Sequence, residues 1–318
     1  MPDPTAVTDP IAHLLDRVHL GDPQRYDVLT LWPLQLDDPA GLGQAIRYVS
    51  LSTALREGSL HVDEVSEGGS VPHVRVVNKG DQAVLVLFGE HIVGAKQNRI
   101  ANASFLVDAH SQLVIDVSCV EAGRWSRPGK DLFHSEEEVV AHSLRRKMER
   151  RVSESRSAGL GFRSDQAEVW DDVSDKLLCS RTQSPTSRYS DYRASRQDSL
   201  SGFEGAFHVA AEQIGFVATI AGVSVGVEVV GRQEVFASNF KALLRAYTID
   251  AVEAALAGAK HQPPDSSRPK TLLEACRKES FEIRPSLGLG GDLRLTGSRV
   301  AGCALVHEGV VHLTAYPV

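Results

Sequence analysis

The chain has 318 residues, of which 42% are hydrophobic, and a net charge of −7 at neutral pH. This length holds one large domain or two of ordinary size, and the composition is typical of a soluble globular protein. The acidic balance disfavours nonspecific nucleic-acid binding, which needs a basic surface. No apolar run is close to the length of about 20 residues that is needed to cross a bilayer. Residues 1–10 lack the pattern of a secretory signal. We therefore expect a cytoplasmic protein without a membrane partner.

Strand patterns dominate the first half of the chain after an N-terminal segment, residues 1–25. Residues 48–57 have helical apolar spacing, whereas residues 60–65 and 71–77 alternate around a glycine-rich turn and predict a hairpin. The continuous apolar run 84–88 predicts a strand covered on both faces. Further strands are expected at residues 27–36 and 113–117.

The middle of the chain changes character at Ser135. Ser135 and Glu138 form a capping-box pattern, so we predict helices within residues 135–179. The basic run 145–151 would then complement the carboxyl end of the first helix. Residues 181–201 are rich in Ser, Arg, Tyr and Asp and predict a mobile loop.

The second half returns to strands. Residues 214–220 and 223–230 predict a hairpin, and residues 239–257 predict an amphipathic helix. Four more strands are expected, at residues 281–284, 291–296, 300–306 and 310–316. The fold class is therefore α+β, with a mostly antiparallel β core built from both halves and helices packed against it. We expect one large domain over residues 26–318, or two halves, 26–180 and 202–318, joined by the loop 181–201.

A dense set of polar residues follows the strand at residues 84–88. Gly89 permits a sharp bend, and Glu90, Gln97, Asn98, Arg99 and Asn102 come after it. The planar guanidinium of arginine matches a phosphate, and amides can bond ribose or a base, so these residues are candidates for a ligand site. The alternative is that they bond the protein's own backbone and carboxylates.

The strand at residues 113–117 leads to a second set, Cys119, Glu121, Arg124 and Trp125. Cys119 could act as a nucleophile if a neighbouring cation lowered its pKa, with Glu90 as an acid–base group. Glu121 and Trp125 could contact a ligand, Trp125 by stacking. Cysteine is also a common core residue, and capping the core is the usual fate of a lone tryptophan.

Several familiar signatures are missing from the sequence. The four cysteines form no CxxC pair, and the twelve histidines show no convincing metal-ligand spacing. The sequence has no P-loop and no GxSxG elbow. We therefore expect no metal site, and no cofactor can be named.

The chain resembles the ARG and Rhodanese-Phosphatase-superfamily-associated Protein domain family. The resemblance rests on GEHIVGAKQNRIANASFLV at residues 89–107 and VSCVEAGRW at 117–125, with weaker support from QAEVWDDV at 166–173 and GCALVHEGVVHLTAYPV at 302–318. It implies association with ADP-ribosylglycohydrolases and rhodanese-like phosphatases, which here would be separate proteins.

The resemblance implies binding or processing of an ADP-ribose-like or other NAD-derived nucleotide. Two alternatives stay open. One is a cysteine- or glutamate-dependent hydrolase that uses Cys119 or Glu90. The other is a noncatalytic interaction module whose partner surface is the loop 181–201 and the arginine-rich helix.

Overall fold

The computed structural model describes residues 9–38, 46–66, 70–94, 96–124 and 134–318. In this part of the chain eight helices are present. They are α1 Pro10–Leu15, α2 Leu51–Glu57, α3 His142–Ser157, α4 Gln166–Cys179, α5 Tyr189–Ser195, α6 Gln197–Ala206, α7 Gln233–Leu256 and α8 Ser267–Lys278.

The same part of the chain contains eighteen strands. They are β1 Val18–Leu20, β2 Gln24–Tyr26, β3 Leu29–Leu36, β4 Tyr48–Ser50, β5 Leu60–Glu64, β6 His73–Asn78, β7 Ala83–Val86, β8 Glu90–Val93, β9 Arg99–Ala101, β10 Phe105–Val107, β11 Ser111–Cys119, β12 His134–Val139, β13 Gln213–Ile220, β14 Val223–Val230, β15 Phe281–Pro285, β16 Gly291–Thr296, β17 Val300–Val306 and β18 Val310–Pro317.

The largest sheet joins the two ends of the chain. Its order is β1-β3-β13-β14-β18-β17-β16-β15, with β2 beside β3, and its neighbours pair antiparallel. A six-stranded antiparallel sheet has the order β12-β8-β9-β11-β6-β5, and β10-β7-β4 form a third sheet in which β4 and β7 are parallel. The predicted α+β class and the antiparallel core from both halves are confirmed.

Helix α7 packs against one face of the nine-stranded sheet. Alternate side chains of a strand point to opposite faces, and β13 shows this alternation. Phe216 and Ala218 pack in one apolar cluster with Leu243 of α7, whereas Val217 packs in another with Leu272 of α8. The nine-stranded sheet therefore carries α7 on one face and α8 on the other.

The strand predicted at residues 84–88 is also buried on both faces. Leu85 belongs to the cluster around α7, whereas Val84 and Val86 belong to a third cluster with the six-stranded sheet. The two hairpins, β5–β6 and β13–β14, are confirmed by their antiparallel pairing.

The prediction that the first helix of this region begins at residue 135 is wrong. The six residues His134–Val139 form β12, which pairs with β8, and α3 begins only at His142. The carboxylate of Glu138 is buried 3.6 Å from Nδ1 of His91 and 3.3 Å from Nε of Arg193. Tertiary contacts therefore override the local capping pattern, and the basic residues 145–151 lie inside α3 rather than at its carboxyl end.

Two other boundaries differ from the sequence-based expectations. The long C-terminal helix, expected from residue 239, begins at Gln233. The expected loop 181–201 contains α5 and the start of α6. Tyr189, Tyr192, Leu200 and Phe203 are buried, so aromatic side chains anchor these helices where few aliphatic residues are available.

Candidate functional site

Five of the residues singled out in the sequence meet where β9 pairs with β11. Arg99 stands opposite Cys119 in the register of the two strands. Gln97 and Asn98 immediately precede β9, and Glu121 follows β11 by two residues. All five side chains are buried, with relative exposures of 4% or less.

Glu121 is the centre of the hydrogen bonding in this cluster. Its carboxylate accepts hydrogen bonds from the backbone N of Asn98 at 3.2 Å, Nη2 of Arg124 at 2.7 Å and Oγ1 of Thr186 at 2.9 Å. Burial alone would raise the pKa of Glu121, but the hydrogen bonds from Arg124 and Thr186 hold it below its ordinary value. Glu121 therefore ties β9, β11 and the segment before α5 together.

Arg99 is engaged in the same way inside the protein. Its Nη2 lies 3.3 Å from the Glu64 carboxylate and donates to the carbonyl of Ser70 at 3.1 Å, while Nη1 donates to the carbonyl of Gln97 at 3.0 Å. Removal of this guanidinium would leave the buried Glu64 carboxylate without its cation, so Arg99 has a structural role. It is not presented to a ligand in this structure.

The amides of Gln97 and Asn98 are only partly satisfied. Nε2 of Gln97 donates to the carbonyl of Glu121 at 2.9 Å, and Oδ1 of Asn98 accepts from Nη2 of Arg124 at 3.2 Å. Oε1 of Gln97 and Nδ2 of Asn98 are buried without a hydrogen-bond partner among the described residues. A buried polar atom without a hydrogen-bond partner costs free energy. A ligand that bonds to these two atoms would remove this cost, so a ligand contact here stays a prediction.

Cys119 and Glu90 occupy different environments. Burial raises the pKa of the Cys119 thiol to about 11, and Arg99 offsets this rise only in part. Glu90 lies on β8, where one carboxylate oxygen accepts from the backbone N of Leu87 at 2.9 Å and burial raises its pKa to about 8. Among the described residues no hydrogen bond or ion pair joins the two side chains.

Asn102 lies apart from this cluster. Nδ2 of Asn102 donates to the carbonyl of Phe162 at 2.9 Å, and its Oδ1 accepts from the Ser118 hydroxyl at 2.7 Å. These contacts fix the segment between β9 and β10. Trp125 lies outside the described residues.

An open groove lies elsewhere, between α3 and the ends of strands β16, β17 and β18 of the nine-stranded sheet. Thr296, Ala301 and Tyr316 stand side by side in the register of β16, β17 and β18 and form one wall. The opposite wall is one face of α3. The groove encloses about 720 Å³, within the range of about 300–1,000 Å³ that small-molecule sites occupy.

The α3 wall of the groove is strongly charged. It presents Arg146, Lys147, Arg150 and Glu154, and Glu168 of α4 lies at the rim. Glu168 lies 3.4 Å from Nη2 of Arg150, and Lys147 lies 2.5 Å from the Asp172 carboxylate. Arg146 is exposed and has no ion pair or hydrogen bond with any residue in the part of the chain that the structure describes.

Glu149 stands out on the same wall because it is buried, with 2% exposure, although it lines the groove. The Ser153 hydroxyl donates to its Oε1 at 2.6 Å, and Nη1 of Arg294 lies 3.9 Å away. Burial raises the pKa of Glu149, and Arg294 and Ser153 only partly oppose this rise. A buried carboxyl with a perturbed pKa in a cleft is a common mark of a functional site.

This groove is not evident from the sequence. The basic run 145–151 is a local feature, whereas the ends of β16, β17 and β18 that face it come from a distant part of the chain. Arg146 and Arg150 are four residues apart and share a helix face with Ser153 and Ser157, which is the one signal that could have been used.

The model of the ARG and Rhodanese-Phosphatase-superfamily-associated Protein domain matches residues 17–316, and the chain belongs to this family. Comparisons with curated proteins and with solved structures gave no match. No helix among the described residues combines the length and apolar character that a membrane span requires.

Proposed function

We propose that this family member binds an ADP-ribose-like or other NAD-derived nucleotide, and that the groove beside α3 is the binding site. The observation that carries the proposal is the exposed guanidinium of Arg146 beside Arg150 in a groove of about 720 Å³. A guanidinium fork suits phosphate oxygens better than a lysine ammonium does, because it can donate two parallel hydrogen bonds. The diphosphate of the ligand would lie against these two arginines.

The opposite wall suits the less polar parts of a nucleotide. Ala301 and Pro317, both partly exposed, supply apolar surface there. Ligand sites commonly combine such a surface with a few polar groups that set the orientation. A ribose or base would cover this wall while the phosphates face α3.

Binding measurements with a small ligand series test the proposal. ADP-ribose, NAD and ADP should raise the melting temperature and give measurable calorimetric affinities, whereas adenosine, which lacks phosphate, should bind more weakly. Arg146→Gln should weaken ADP-ribose binding by about tenfold or more, because a charge-assisted hydrogen bond contributes about 1.5–3 kcal/mol. Arg268→Gln removes the same charge from an exposed position on α8 and is the matched control.

Two results would contradict the proposal. One is an unchanged melting temperature with every ligand at millimolar concentration. The other is equal affinity of the Arg146→Gln and Arg268→Gln proteins for ADP-ribose.

The cluster around Glu121 offers a second position for the same ligand. Its support is the pair of unpartnered amide atoms, Oε1 of Gln97 and Nδ2 of Asn98. Asn98→Asp removes the free donor with little change in volume. If this protein loses ADP-ribose binding while Arg146→Gln retains it, the ligand lies at the cluster and not in the groove.

The hydrolase alternative has less support from the geometry. A thiol whose pKa is raised to about 11 is protonated at neutral pH, and the thiolate is the nucleophile. Incubation of ADP-ribosylated substrates with wild type, Cys119→Ala and Glu90→Gln tests this alternative directly. Turnover by wild type that either variant abolishes would establish it.

A further inference from the structure

Glu149 has an unusual position for a carboxyl group, since it is shielded from solvent and yet borders the groove. Arg294, the nearest cation of the sheet, is committed elsewhere. Its Nε and Nη2 each lie 2.9 Å from an oxygen of Asp292, whereas its Nη1 is 3.9 Å from Glu149. Glu149 Oε2 accepts no hydrogen bond from any residue that the structure describes.

The other charged and titratable groups near Glu149 come from four elements. Asp292 and Arg294 belong to β16, and Cys303 stands opposite Arg294 on β17. Tyr316 of β18 lines the groove, and so does Arg146 on α3 itself. Asp292 is shared by two guanidiniums, because Nε of Arg156 on α3 also lies 3.1 Å from its carboxylate. Nη1 of Arg294 makes no hydrogen bond to Glu149, so an ionised Glu149 has no hydrogen-bonded cation among the described residues.

We propose that Glu149 takes up a proton when an anionic ligand enters the groove, and that its neutral carboxyl then donates a hydrogen bond to a phosphate oxygen. The inference rests on the proposed function. The groove is lined by three cations, Arg146, Lys147 and Arg150, and by three carboxylates, Glu149, Glu154 and Glu168. Protonation of Glu149 removes one negative charge and leaves three cationic side chains against two carboxylate side chains in the lining.

The physical reason is that two anions in a poorly solvated place repel each other strongly. A carboxylate beside a bound phosphate is therefore protonated more readily than the same carboxylate in the empty groove. A protonated carboxyl also has one O–H donor, whereas an ionised one can only accept. The ligand class is a phosphate ester or diphosphate, since its oxygens accept hydrogen bonds and carry negative charge.

Isothermal titration calorimetry with ADP-ribose tests this proton uptake. Titrations at one pH in buffers with different ionisation enthalpies report the number of protons taken up. ADP-ribose is suitable because its diphosphate bridge has no group that titrates near neutral pH. Wild type should take up a proton on binding, and above the pKa of the free Glu149 its Kd should rise by up to about tenfold per pH unit.

Glu149→Gln keeps the volume and the acceptor for Ser153 but cannot titrate. It should bind ADP-ribose with no proton uptake and with an affinity that does not change with pH. Glu154→Gln removes an exposed carboxylate from the same groove and should retain the uptake. Ser153→Ala removes a hydrogen bond that lowers the pKa of Glu149, so its affinity should begin to fall at a higher pH than that of wild type.

The outcomes separate the two proposals. Binding of ADP-ribose without proton uptake by wild type, or with equal uptake by Glu149→Gln, would overturn the role of Glu149 and leave the binding site standing. No binding heat at millimolar ADP-ribose would overturn both.

Discussion

Replacement of Arg145 by methionine should destabilise the protein strongly, because it leaves a charge buried between the helical layer and the nine-stranded sheet. Nη1 and Nη2 of Arg145 lie 2.6 and 3.4 Å from the two carboxylate oxygens of Glu228, and both side chains have no exposed surface. The same carboxylate accepts from the hydroxyls of Tyr247 at 2.8 Å and Thr314 at 2.9 Å. Nε2 of His312 lies 3.3 Å from Oε2 of Glu228.

The expected cost of this substitution is a few kcal/mol. Removal of one partner of a buried ion pair typically costs about 3–5 kcal/mol. Burial alone would raise the pKa of Glu228, but Arg145 and His312 hold it at about 2 against an ordinary value of 4.5. That lowering corresponds to about 3 kcal/mol of stabilisation, of which Arg145 supplies the largest part. We expect Arg145→Met to lower the free energy of unfolding by about 3 kcal/mol.

Urea denaturation followed by circular dichroism measures this loss. The double variant Arg145→Met/Glu228→Gln should recover part of it, because the uncompensated charge is gone while Tyr247 and Thr314 can still donate to the amide oxygen. Since the pKa of Glu228 is lowered by folding, its contribution is present above the unfolded pKa and is lost as the pH falls toward 2. Arg145→Met should therefore lose less stability than wild type over that acidic range. A loss below about 1 kcal/mol at neutral pH, the size expected of a solvent-exposed pair, would refute the reasoning.

Two further predictions follow from single positions. Gly89→Ala should destabilise more than Gly58→Ala in the same denaturation assay. Both glycines have positive φ, +78° and +71°, so alanine at either position costs about 1–3 kcal/mol of backbone strain. Only at Gly89 would the added Cβ also clash, because it would lie 2.9 Å from Arg145 side-chain carbons. Equal losses of unfolding free energy in the two variants would contradict this prediction. In native protein at neutral pH a thiol reagent should label the exposed Cys179 rapidly and the buried Cys119 slowly. Cys179→Ser should therefore abolish the fast phase of labelling. Fast labelling that persists in this variant would favour a reactive Cys119.

The strands were predictable wherever side chains alternate or run continuously apolar. Such patterns report burial on one face or on both, and burial is what the sheets require. The hairpin β13–β14 and the final four strands were recognised for this reason. The pairing of β3 with β13 was not, because nothing local marks a contact between strands so far apart in the chain.

The failures arose where tertiary contacts decided the structure. Glu138 looks like the third residue of a capping box, yet it is buried in β12 beside His91 and Arg193. Helix α3 instead receives its cap from another element, since the Asp250 carboxylate on α7 accepts from the backbone N and the hydroxyl of Ser143. A cap supplied by a residue 107 positions away cannot be read from local sequence.

The candidate sites show the same division between local and distant information. Gln97, Asn98 and Arg99 are recognisable as candidates because several hydrogen-bonding and charged residues follow one strand. Residue type alone does not distinguish a contact with a ligand from a hydrogen bond or ion pair within the protein. Glu149 was overlooked among its basic neighbours on α3, where its charge suggests a solvated helix face. Only the approach of β16, β17 and β18 makes Glu149 both buried and adjacent to an open groove. Burial raises the pKa of Glu149 and the fold places it beside the groove, so both properties that make Glu149 a candidate exist only in the folded chain.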